Sequence, residues 1–125
     1  MSLTDAEAAF LTARSAVVDA DIAEDYAAGI LSDATTAYAN ARNFASLMNT
    51  AYLKIITEAA SDNSCSLTTR IAITHTGYTA AIAVESSALA NMVAATADYA
   101  TAMQKTQHSL QIFGSISQSL TKGDS

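Results

Sequence analysis

The stretch AEAAFLTARSAVVDADIAEDYAAGILSDATTAYANA, residues 6–41, decides the fold. Counting by sevens from its first residue gives Ala6, Ala13, Ala20, Ala27, Ala34 and Ala41, and the column continues through Met48 and Ile55. The adjoining column reads Leu3, Phe10, Val17, Glu24, Leu31, Tyr38, Ala45 and Tyr52. A seven-residue phase kept this long is the signature of one continuous helix with a superhelical seam. No proline interrupts it, and the isolated Gly29 costs a helix only about 1 kcal/mol relative to alanine. At the N-terminal end, Thr4 and Glu7 form the pattern of a capping box, with Asp5 adding favourable charge to the first turn. A first helix is therefore predicted from about residue 5 to about residue 60.

The turn formers Ser61-Asp62-Asn63-Ser64-Cys65-Ser66 follow, and they predict a turn over 61–66. Beyond it the same rhythm returns. Ala81, Ala88, Ala95 and Ala102 form one column, beside Ile71, Tyr78, Glu85, Met92 and Tyr99, and beside Ile82, Leu89, Thr96, Met103 and Leu110. The second helix is expected over about 67–112, with a polar C-terminal tail ending in Thr121-Lys122-Gly123-Asp124-Ser125. Two such helices joined by a short loop make a long antiparallel helical hairpin, all-α, forming a single helical domain over 1–125. With the turn centred near Asn63 and Ser64, residues whose numbers add to about 127 face one another. That register sets Glu85 opposite Arg42, and Lys105 opposite Asp21, Glu24 and Asp25.

Composition narrows the functional classes. Half the chain is apolar, but there is no Trp or Pro and only 14% is charged; alanine alone is roughly a fifth, a departure from ordinary globular usage. The net charge of −6 and the scattered positions of the six basic residues disfavour nucleic acid, which is held by Lys and Arg on phosphates. The same balance disfavours anionic membranes. The least charged stretch, Ile71 to Gln104, is rich in Thr and Ser, so no stable membrane insertion is expected. Met-Ser-Leu-Thr-Asp-Ala-Glu has neither a basic leader nor an apolar core, which points to cytoplasmic synthesis and leaves later release or non-classical secretion open. The single Cys65 excludes an internal disulfide.

Catalytic and cofactor chemistry finds little to stand on. The acidic group Asp19, Asp21, Glu24, Asp25 and Asp33 places Asp21 and Asp25 on one helix face, yet a di-metal bundle needs Glu-x-x-His pairs. Neither His75 nor His108 has a Glu three residues before it. In the proposed register neither histidine meets the other or Cys65, so no Cys-His nucleophile is assembled. There is no Gly-x-Ser-x-Gly context and no Gly-rich phosphate loop. No cofactor, no metal and no enzymatic activity are expected. Glu24 and Glu85 stand out because each occupies a packing column; a buried carboxylate there would make packing pH-sensitive.

Alanine columns let helix backbones approach more closely than leucine does. One column per helix suffices to close a hairpin, but each helix carries a second: Ala9, Ala16, Ala23, Ala37 and Ala51 on the first, Ala83, Ala90 and Ala97 on the second. Helices apolar or small on several sides are usually buried on several sides, and a two-helix domain has too little interior to do that alone. Lateral association is expected, with Ala13, Ala20, Ala27, Ala34, Ala41, Ala81, Ala88, Ala95 and Ala102 as the assembly interface. The partner would be the chain itself, or related co-assembling subunits.

The segment Ala88-Leu89-Ala90-Asn91-Met92, with the alanine-rich run to Gln104 and then Gln107, Leu110, Gln111, Ile112 and Gly114, resembles the R-body (killing-trait) structural proteins over about a quarter of the chain. Where that family has consecutive glutamines, this chain has Gln104-Lys105-Thr106-Gln107. The resemblance implies a small helical subunit of a coiled ribbon that can unroll on acidification. Ala13-Arg14-Ser15 and Asp19-Ala20-Asp21-Ile22-Ala23-Glu24, with Ile30-Leu31, are similar to the flagellin C-terminal helix, a filament-packing element. The function expected is that of a non-enzymatic subunit self-assembling into a ribbon, filament or sheet. The alternative is a secreted or chaperoned interaction module forming a discrete dimer or heterodimer, resembling type VII helical hairpins without their Trp-x-Gly turn.

Overall fold

The computed structural model describes residues 3–61 and 65–123. They form two helices, α1 (Leu3–Ala59) and α2 (Cys65–Gly123), which pack against each other as an antiparallel hairpin; among the described residues there is no strand. Asp62, Asn63 and Ser64, the centre of the expected turn, lie outside the described residues.

Three boundaries differ from the sequence expectation. α1 begins at Leu3, so Thr4, expected as its cap, is already inside the first turn. Cys65 and Ser66 belong to α2 rather than to the turn. The largest difference is at the C-terminal end, where α2 runs on past Ile112 and Gly114 to Gly123 instead of giving way to a polar tail. Burial explains the extension. Phe113 packs on Phe10 with ring centroids 5.1 Å apart, Ile116 and Leu120 are half-buried, and a lone glycine costs less than those contacts return.

The chain divides into two packed units, each built from a segment of both helices: residues 1–31 with 95–125, and residues 32–94. In the first unit the buried line of α1 runs Ala6, Phe10, Ala13, Val17, Ala20, Glu24, Ala27, Leu31, and that of α2 runs Ala95, Tyr99, Ala102, Thr106, Ser109, Phe113, Ile116, Leu120. All are buried or half-buried, at alternating steps of three and four. The Thr106 hydroxyl reaches across to the carbonyl of Ala20 at 3.3 Å as well as to its own helix at Ala102. That contact requires the helices to approach closely, as small side chains permit.

In the second unit the corresponding lines are Ala34, Tyr38, Ala41, Ala45, Met48, Tyr52, Ile55, Ala59 and Leu67, Ile71, Thr74, Tyr78, Ala81, Glu85, Ala88, Met92. Tyr52 stacks on Tyr78 at 6.0 Å and tilts against His75 at 5.2 Å. Glu58 and Arg70 form an ion pair at 3.4 Å. A Cβ placed on Gly77 would meet the Met48 methyl at 2.6 Å, so glycine here admits the opposing side chain. These cross-helix pairs follow the register expected from the sequence.

The core is thin. Among the described residues, only Ala13, Ala45, Leu67, Ala81 and Ala95 are buried, and no side chain is exposed by less than 2%. Four of the five are alanine, and each methyl contributes only about 0.8 kcal/mol. Stability must come from repetition of the seam over many turns. Large apolar side chains, by contrast, lie on the outside: Tyr26 is 73% exposed and Ile73 67%.

Candidate interaction surface

The alanines assigned from the sequence to an assembly interface occupy the seam of the hairpin itself. Ala13, Ala20, Ala27, Ala95 and Ala102 line the seam of the first unit; Ala34, Ala41, Ala81 and Ala88 line that of the second. Ala81, the most buried, is 2% exposed. Within each unit these alanines are buried or half-buried against the opposite helix.

The second alanine columns lie outside. Ala16, Ala23, Ala37 and Ala51 on α1, and Ala83, Ala90 and Ala97 on α2, are exposed, while Ala9 is half-buried. The column Ile82, Leu89, Thr96, Met103 and Leu110 flanks the seam rather than filling it, and only Met103 is half-buried. Glu24 and Glu85 are both on the seam and both half-buried, one in each unit.

The charge pairs read from the register are not formed. Arg42 and Glu85 share the wall of an open groove of 280 Å³ in the second unit, with Ala45, Ser46, Asn49, Tyr78 and Ile82, yet lie beyond ion-pair distance. A second open groove, of 420 Å³, runs along α1 past Thr35, Tyr38, Ala39, Arg42, Asn43 and Ser46. Lys105 makes no ion pair with Asp21, Glu24 or Asp25. Long side chains on a solvated edge gain too little from such pairs to be held in one geometry. Among the described residues, no three of His, Cys, Asp and Glu come together as a metal site.

The threonines have a feature that the sequence pattern did not expose. The hydroxyls of Thr50, Thr57, Thr74, Thr76, Thr79, Thr101, Thr106 and Thr121 each donate to the carbonyl four residues earlier, at 2.7–3.1 Å. A threonine bonded in this way has its donor satisfied by its own helix. These hydroxyls therefore present no donor that needs water. One window of 18 residues within Leu67–Thr121 reaches a mean hydropathy of 1.3, long and apolar enough to cross a membrane by length and composition.

No known protein family, no curated protein and no solved structure matches this chain.

Proposed function

We propose that this chain is a non-enzymatic structural subunit whose hairpin associates side by side with further copies of itself into a ribbon, filament or sheet. The observation that carries this reading is uncovered surface. The 12.9-kDa chain exposes 8584 Å²; a self-contained monomer of that mass exposes about 6,300 Å², some 2,300 Å² less. A stable protein–protein interface buries about 600–1,000 Å² on each partner, so the excess on one chain corresponds to contacts on two or more sides. The exposed side chains have the right character. Leu11, Val18, Ile22 and Tyr26 form one outward stripe on α1, and Phe44, Leu47, Ile73 and Val84 lie outward in the other unit. The threonines between such residues have bonded inward and tolerate being covered.

Purified protein is examined by light scattering and negative-stain microscopy over a range of concentrations. The reading expects extended polymers that grow with concentration. Monodisperse monomers throughout would refute it, and a discrete dimer or heterodimer would favour the interaction-module alternative.

The apolar window in α2 favours a second reading, insertion of that helix in a bilayer. Flotation with neutral phospholipid vesicles separates the two. A subunit that polymerises in water stays at the bottom of the gradient, whereas an inserted helix rises with the lipid.

A further inference from the structure

The second unit carries an additional pair of stripes beside its seam, and they run along one edge of the hairpin. On α1 the stripe is Ala37, Asn40, Phe44, Leu47, Ala51 and Lys54; on α2 it is Ile73, Gly77, Ala80, Val84, Ser87 and Asn91. Both step by three and four residues, the spacing that makes a helix–helix seam. Phe44 is 54% exposed, Leu47 60% and Val84 59%, and every other residue of the two stripes except Gly77 is exposed too.

The Glu58–Arg70 ion pair fixes how the two stripes lie against one another. Moving away from it by seven residues on each helix brings Ala51 level with Gly77; seven more bring Phe44 level with Val84, and seven more Ala37 level with Asn91. Successive levels are about 10 Å apart. One level of the edge is therefore a notch on α1, where Ala51 carries only a methyl group, while on α2 the Met48 methyl fills the space beside Gly77; the next level is a ridge formed by a phenyl ring and an isopropyl group.

A notch next to a ridge is self-complementary under a two-fold rotation. We infer that the edge pairs with the same edge of a second copy, antiparallel, each helix lying against its own counterpart. Phe44 of each copy then sits over Ala51 of the other and Val84 over the Met48 methyl beside Gly77, while Leu47 meets its own symmetry mate beside the axis. A self-matching patch of this kind is what an isologous interface requires. The inference rests on the self-assembly reading above and assigns it a surface.

Charge selects the same occupant. The second unit holds four acidic and three basic residues, against eight and three in the first, so like-charge repulsion between copies is least here. Within the paired levels the charged side chains are Glu58 and Arg70, already bonded to each other, and these fall opposite Ala37 and Asn91. Lys54 falls opposite Asn40. Among the described residues of the two stripes, no two like charges are brought together.

The test uses the full chain, with self-association followed by sedimentation velocity and helix content by circular dichroism. Phe44→Glu removes the ridge, and Ala51→Phe sets ridge against ridge; both positions are exposed, so helix content is expected to stay unchanged. Each variant should weaken association by roughly tenfold or more, as the loss of a central apolar anchor does. The exchange Phe44→Ala with Ala51→Phe swaps ridge and notch in both copies and should recover pairing. In a Cys65→Ser background, Leu47→Cys should cross-link to itself far faster than Ala39→Cys, which lies on the opposite edge. Wild-type assembly with both single variants assembling equally well overturns this inference and leaves the self-assembly reading standing; failure of the exchange to recover pairing overturns the register. A wild-type chain that stays monomeric overturns both.

Discussion

Replacing Ala81 by leucine tests whether the seam closes because its side chains are small or merely tolerates them. Ala81 is the most buried residue of the second unit, at 2% exposure, and one turn away the Met48 methyl occupies the space beside Gly77. Leucine adds three carbons at that position. Were there room, burying them would stabilise the hairpin by about 2.4 kcal/mol, at about 0.8 kcal/mol for each carbon. There is no such room. The added atoms must push the helices apart or leave their rotamer, which typically costs about 1–3 kcal/mol, and separation would also uncover Ala45 and the stacked Tyr52 and Tyr78. We expect Ala81→Leu to lose about 1–3 kcal/mol of stability, whereas Ala83→Leu, on the exposed column two residues on, changes it by no more than about 0.5 kcal/mol. Urea unfolding followed by circular dichroism, repeated at two widely spaced protein concentrations, separates hairpin stability from association. An Ala81→Leu midpoint at or above that of the wild type would show that the helices are not held together by close backbone approach.

Further outcomes follow from the same geometry. Glu85→Leu puts an apolar side chain of similar volume at a half-buried seam position and should raise stability by about 1 kcal/mol in the same urea assay, since a polar residue in a seam weakens it. Gly29→Ala meets nothing within 4 Å and should add up to about 1 kcal/mol; Gly77→Ala should add less, because the Met48 methyl must move. Phe113→Ala removes the ring contact with Phe10 and should cost about 1–3 kcal/mol, with hydrogen exchange accelerating over residues 110–123 first. Arg70→Ala breaks an ion pair whose side chains are 55% and 42% exposed, and its effect on the unfolding midpoint should stay within about 0.5 kcal/mol.

The seam was legible because it repeats. A phase of seven held from Ala6 to Ile55 leaves one interpretation, and the register followed once the turn formers at 61–66 gave the two helices a common origin. Charge was a poorer guide. Opposed side chains such as Arg42 and Glu85 share a groove without bonding, because a register fixes where backbones lie and not where long solvated side chains settle. The end of α2 was misread for a related reason: Gly114 and the polar residues after it look like a stop in isolation, whereas Phe113, Ile116 and Leu120 continue the seam in steps of three and four. Gly77, placed by its neighbour Met48, carried no signal in the sequence, since only the opposing helix gives its missing side chain a purpose.

The nine alanines expected from the sequence to serve lateral contact lie in the intramolecular seam, and regularity is what such a seam demands, since one helix must meet the other at every turn. In the self-assembly proposed above, contacts between copies need hold only over a few levels, and there local relief matters more than period. Phe44 and Ala51 are unlike within one column, and that irregularity gives a ridge and a notch. The threonines complete the argument. Hydropathy scales count each as polar, yet Thr50, Thr74, Thr76 and Thr79 spend their donors on their own helices. Such hydroxyls can lose their water without leaving a donor unpaired, and under the self-assembly proposed above a core this thin gains further apolar burial from a second copy.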